Sequence, residues 1–140
     1  MELFYLKGQI LMADSKDIKR WIEYAENDWT SAVLLLGSIA TTPSFLFHES
    51  IEKYLKAVIL LESKQLERSH DLMDLLSRIK QAPSEDSLEM NAAKILDLSY
   101  GVSRYPDRAI EITLENAQTL YKAALVLYVF ARERLGLEIV

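Results

Sequence analysis

Apolar and polar positions along this chain follow the helical repeat. The stretch from Phe47 to Leu61 sets the pattern: with Ile51 as zero and about 100° per residue, Phe47, Tyr54, Leu55, Val58, Ile59 and Leu61 fall within one broad arc. That arc is the expected core face. His48, Glu52 and Lys56 stand four residues apart along one border, and Glu49 and Lys53 lie on the far side, so a polar ridge, read as solvated, runs beside the buried stripe.

The same periodicity divides the rest of the chain into helices. Residues 1 to 13 are apolar without clear caps and predict a short helix or strand docked on the body. Asp14 or Ser15 can cap a first helix that runs to about Leu36 and stops at Gly37, with Trp21, Ala25, Trp29, Ala32 and Leu36 on one face. Thr42-Pro43 opens the second helix, Thr42 as cap and Pro43 in the first turn, where its missing amide hydrogen costs nothing. It extends to about Ser63.

Ser69 is the expected cap of a short third helix, His70 to about Gln81, striped by Leu72, Leu75, Leu76 and Ile79. A fourth runs from about Glu85 to Val102, with Leu88, Ala92, Ile95, Leu96 and Ser99 inward, and Tyr105-Pro106-Asp107 ends it because the residue before proline is pushed away from helical angles. The last occupies about Thr113 to Leu135, carries Ala117, Leu120, Tyr121, Ala124, Leu125, Tyr128 and Ala131 on its stripe, and closes at Gly136. The expected architecture is all-α: an antiparallel up-and-down bundle of about five helices, with residues 1–14 as an N-terminal extension and 15–140 as the domain.

Composition narrows the chemistry. At 140 residues, half of them hydrophobic, the chain has enough material for one sizeable core. Without cysteine there is no disulfide, thiolate site or cysteine nucleophile, and the expected compartment is the cytoplasm. A net charge of −5 argues against a surface given over to nucleic acid, though a small basic patch is compatible with it. No signal peptide or membrane helix is expected, since the longest apolar runs fall far short of the ~20 residues that span a bilayer. Phosphate-binding glycine loops, nucleophile elbows and His-based metal spacings are also missing, so neither a metal nor a cofactor is expected.

Short connections between antiparallel helices would bring the end of the second, the start of the third, the end of the fourth and the start of the fifth to one end of the bundle. This places His70 and Asp71 near Arg104, Tyr105 and Asp107, and leaves His48 near the opposite end. Asp28 falls in the middle of the first helix's apolar stripe, where an unpaired carboxylate is costly. It calls for a partner: a Lys or Arg from a neighbouring helix, a hydroxyl such as that of Tyr54, or a second subunit.

The succession Ala25-x-x-Asp28-x-x-x-Ala32, His48-x-x-x-Glu52-Lys53-x-x-Lys56-Ala57, His70-Asp71-Leu72 and Ser103-Arg104-Tyr105-Pro106-Asp107 resembles the HEPN domain, named for higher eukaryotes and prokaryotes nucleotide-binding. The resemblance covers roughly residues 16 to 135. It implies a helical bundle, often a homodimer, frequently encoded beside a nucleotidyltransferase in a toxin–antitoxin-like pair, and associated with nucleotide or RNA chemistry. Ribonuclease members carry an Arg followed four to six residues later by a His; neither His48 nor His70 follows an Arg at that spacing.

The resulting expectation is a non-catalytic module that dimerises and binds a nucleotide or a nucleotidyltransferase partner. Arg104 and His70 would meet phosphate, Tyr105 would stack on a base, and Asp71 or Asp107 would orient the basic groups. Asp28, His48, Glu52, Lys53 and Lys56 would form the ridge or an interface. The alternatives are a metal-independent ribonuclease using His70 and Arg104, and a purely structural interaction bundle.

Overall fold

The computed structural model describes residues 5–6, 9–10, 15–36, 41–104 and 114–139. Its body is five helices: α1 (Ser15–Leu35), α2 (Thr41–Ser63), α3 (Leu72–Ser77), α4 (Leu88–Arg104) and α5 (Leu114–Leu135). Ahead of them two short strands, β1 (Tyr5–Leu6) and β2 (Gln9–Ile10), pair antiparallel, so strand is the alternative realised in the N-terminal segment.

Helix α2 is the axis of the bundle and packs against each of the other four helices. Its burial explains its composition. Phe47, Ile51, Tyr54, Leu55, Ala57 and Val58 are all fully buried, so the apolar surface wraps most of the helix instead of forming one stripe. The helix ends where the chain turns left-handed at Lys64 (φ 64°), whose N–H donates to the Leu60 carbonyl at 2.9 Å and satisfies an orphan acceptor of the last turn.

Aromatic rings lock α1 and α5 against α2. Trp29 stacks on Tyr128 with centroids 4.2 Å apart and meets Phe47 edge-on at 5.3 Å, while Tyr54 meets Tyr128 edge-on at 5.7 Å. Arg132, buried beneath this cluster, donates to the Tyr54 hydroxyl at 3.1 Å and to Glu26 at 2.9 Å. Burial drives the Tyr54 phenol well above its ordinary range, although the guanidinium beside it opposes the rise. Gly136 (φ 72°) closes α5: its N–H reaches Glu133 O, and the N–H of Leu137 reaches Arg132 O, the paired bonds of a left-handed helix stop.

Several expectations are corrected. The third helix is capped by Asp71, whose carboxylate accepts from the Met73 and Asp74 amides; Ser69 instead accepts the Asp71 N–H, so His70 precedes the helix. Helix α4 starts at Leu88, with the Ser87 hydroxyl accepting from Met90 N. Of its expected inward residues Ala92 and Leu96 are buried, but Leu88 and Ile95 are exposed, and Ala93, outside that set, is fully buried. On α5, Leu125 is exposed and Leu127 takes a core position.

The largest correction concerns direction. Segment 64–71 carries the chain back along α2, because at about 3.3 Å per residue it can reach roughly 26 Å, more than the ~17 Å of helix between Ser63 and Glu52. Helix α3 therefore starts beside the first half of α2 and runs in the same direction; Glu62 at the end of α2 accepts from Lys80 N just beyond α3. Helix α4 then descends antiparallel to α2, bringing Tyr100 beside Phe45 and His48.

Candidate functional site

The return of segment 64–71 places both histidines on one carboxylate. Glu52 Oε2 accepts from Lys56 Nζ at 3.0 Å and lies 2.9 Å from His70 Nδ1, while Glu52 Oε1 stands 3.9 Å from His48 Nδ1. The expected separation of the histidines to opposite ends is thus overturned. So is the solvated ridge: His48, Glu52 and Lys56 retain only 1%, 5% and 4% exposure. Asp97 and Tyr100 of α4 lie against His48, His70 lies against Glu52 and Trp21 of α1 stands beside Lys56, so the three residues lie inside the bundle.

His48 is fixed from two sides. Its Nε2 lies 2.9 Å from Asp97 Oδ1, and the Tyr100 ring stacks on the imidazole at 3.9 Å between centroids. Asp97 also accepts from the amides of Leu72 (3.0 Å) and Met73 (3.1 Å), so one carboxylate joins α2, α4 and the start of α3. Burial alone would raise the Asp97 carboxyl, but bonds to His48, Asp71 and those two amides outweigh it and hold the group below the usual carboxylate range. Asp71 moves oppositely, raised by its contact with Asp97 and by burial against the pull of the Asp74 and Met73 amides.

Two buried atoms in this network have no hydrogen-bond partner: His48 Nδ1 and Glu52 Oε1. Glu49, one residue along, accepts from the Tyr100 hydroxyl at 3.0 Å and from Lys53 at 3.4 Å. Ligand atoms of His48, Glu49 and Glu52 all lie within 4.8 Å of one another.

Asp28 finds the first of its expected partners, a lysine on a neighbouring helix: Lys53 pairs with it. Burial would lower the Lys53 ammonium, yet Asp28 and Glu49 together raise it above the ordinary lysine value. His70 is the outward member of the site, with its side chain 72% exposed and one ring nitrogen anchored on Glu52. Asp71 is occupied by capping α3. Arg104 is the last residue of α4 and its side chain, like Tyr105 and Asp107, lies outside the described residues.

Asp97, Tyr100 and Glu49 do not stand out as site residues in the sequence. A signal was present as Ala93, Leu96, Asp97 and Tyr100 at i, i+3, i+4 and i+7, but Leu88 and Ile95 favour a different phase for that helix.

These features define an all-helical bundle whose central helix carries a largely buried histidine–carboxylate–lysine network, with His70 as its most exposed member. The HEPN domain family matches residues 18–134, and the chain belongs to that family. Two crystal structures share its fold: that of TT1696 from Thermus thermophilus, at TM-score 0.75 and 26% identity over 84% of this chain and 98% of that one, and that of ST0689, an archaeal HEPN homologue, at TM-score 0.68 and 24% identity over 84% and 97%. Among curated proteins none matches. Among the described residues, no helix is long and apolar enough to cross a membrane.

Proposed function

We propose that this chain is a ligand-binding HEPN module that dimerises and binds a nucleotide and/or a nucleotidyltransferase partner, with His70 at the point of contact. The observation that carries the reading is the mounting of His70: Nδ1 is held by a buried carboxylate, and the ring is 72% exposed, so its second nitrogen is presented to a ligand in a fixed orientation. Lys56 stays beneath as counter-charge to Glu52. Arg104, Tyr105 and Asp107 complete the proposed ligand set from the end of α4. Exposed Leu88, Ile95 and Leu98 on α4 support a dimer face; around Leu88 it continues onto Leu125 of α5 beside Glu89, Lys122 and Glu133, charges of both signs that suit a self-complementary pairing.

Calorimetric titration with ATP, GTP and their monophosphates tests this. Saturable heat that falls at least tenfold in affinity in His70→Ala is the expected outcome; no heat with any of the nucleotides would sink the ligand half.

A second reading has its own support. A carboxylate behind Nδ1 also orients a histidine for proton abstraction at Nε2, which suits cleavage of RNA through its 2′-hydroxyl. RNA breakdown by the purified protein, abolished in His70→Ala, would move the assignment from binding module to ribonuclease.

A further inference from the structure

We infer that His48, Glu49 and Glu52 form a binding site for a divalent transition-metal ion between α2 and α4. Such a site stands independently of the nucleotide reading, and the hydrogen-bond count is its first support. In the neutral ring that donates from Nε2 to Asp97, the remaining nitrogen, Nδ1, carries a lone pair. That lone pair faces Glu52 Oε1 at 3.9 Å, and neither atom has a hydrogen-bond partner although both residues are more than nine-tenths buried. Two acceptors turned toward each other in a buried site call for something positive between them.

The surroundings suit a metal ion. Ligand atoms about 2.1 Å from a tetrahedral ion stand roughly 3.4 Å apart, so the pair has to close by only about half an ångström. Glu49 supplies a third oxygen from the next position along the helix, its ligand atom within 4.8 Å of the others, and its side chain, still 24% exposed, has room to swing inward.

Asp97 stands behind His48 as carboxylates stand behind metal-bound histidines, fixing the ring and the tautomer, and is itself fixed by two backbone amides. The charges agree in sign: Asp28, Glu49, Glu52, Asp71 and Asp97 gather around only two ammonium groups, Lys53 and Lys56, among the described residues. One imidazole nitrogen with carboxylate oxygens selects a hard or borderline ion such as manganese or zinc over a thiophilic one.

The test uses the full chain, stripped with chelator and free of nucleotide, titrated with Zn²⁺ and Mn²⁺ by calorimetry and followed by thermal unfolding. One ion per chain and a raised Tm are expected, with affinity at least tenfold weaker and the Tm gain lost in Glu49→Gln, whose partly exposed position tolerates the change. His70→Ala should bind as the wild type does, which separates this site from an ion held at the surface histidine. Absence of saturable binding, as when a water bridges the two atoms, would overturn the inference. Equal affinity in Glu49→Gln, or loss of binding in His70→Ala, would overturn it as well. Because nucleotide is absent throughout, either result leaves the nucleotide reading standing or falling on its own titration.

Discussion

The ion pair between Glu52 and Lys56 is the sharpest test of the buried ridge. Its side chains retain 7% and 5% exposure, and the charged atoms meet at 3.0 Å. A pair so enclosed adds little net stability over well-packed apolar residues, because desolvation offsets most of the attraction; removing one partner alone leaves a buried charge and costs about 3–5 kcal/mol. Lys56→Met should fall at the low end, about 3 kcal/mol, because Glu52 keeps His70, a contact weakened by the exposure of that ring. Lys56 also stands 5.8 Å from the Trp21 ring centroid, an interaction of about 0.5–1 kcal/mol that a methionine sulfur partly replaces.

Glu52→Met strands the Lys56 ammonium and should cost about 3–5 kcal/mol. The double variant removes both charges and should lie within about 1 kcal/mol of wild type, giving a coupling of about 5 kcal/mol or more. Urea unfolding at pH 7 in chelator, read by Trp21 and Trp29 fluorescence, measures all three. With m near 1.5 kcal/mol/M, a loss of ~3 kcal/mol moves the midpoint down by about 2 M. Single variants each costing under ~1 kcal/mol, or a double variant costing their sum, would refute the account of a buried, mutually dependent pair.

Two further predictions concern the start of α3. Asp71→Ala should cost about 1 kcal/mol by stripping the cap from the Met73 and Asp74 amides, and Ser69→Ala clearly less, in the same unfolding assay. The second is a pH dependence. Asp97 binds its proton less tightly in the folded protein, so its contribution to stability is present above the ordinary carboxylate pKa and is lost as pH falls through its lowered value. Asp71, raised, works in the other sense: its contribution is present in acid and is lost as pH rises from about 4 through its folded pKa. Asp71→Asn, which preserves the cap, should remove the falling limb above about pH 4 and leave the acid loss due to Asp97. Urea midpoints from about pH 2 to 6 would show this; a profile unchanged in Asp71→Asn contradicts it.

Helix identity and order were legible because the apolar repeat and its stops, Gly136 at the end of α5 and the Ser63-Lys64 boundary of α2, are local signals. What escaped was tertiary. Ala92 and Leu96 were read inward and are buried, but nothing local tells Leu88 and Ile95, left exposed on α4, from Ala93, fully buried on its inner side. Leucine and isoleucine outweigh alanine in any hydrophobic pattern, yet a crowded helix contact selects the small residue. With Leu88 and Ile95 taken as inward, Asp97 and Tyr100 drew no attention as site residues. Asp28 was the opposite case: a carboxylate in an apolar stripe demands a partner wherever the neighbours lie, and Lys53 proved to be one.

The direction of α3 made the remaining difference, and it turns on segment 64–71. A short link after α2 would have sent α3 away from the first half of that helix, leaving His48, Glu52 and Lys56 along a wet border. The returning segment instead brings His70 onto Glu52 and the Leu72 and Met73 amides onto Asp97, which in turn holds His48. Lys56 becomes a buried counter-ion, no longer a surface charge for a partner to meet. The polar residues spaced four apart on α2 are therefore one network, whose most exposed member is His70, while His48 and Glu52 keep their unpaired atoms facing each other in the interior. His70 rests on Glu52 Oε2 while His48 faces Oε1, so the outer contact and the inner pair use different oxygens of one carboxylate, and each can be probed without the other.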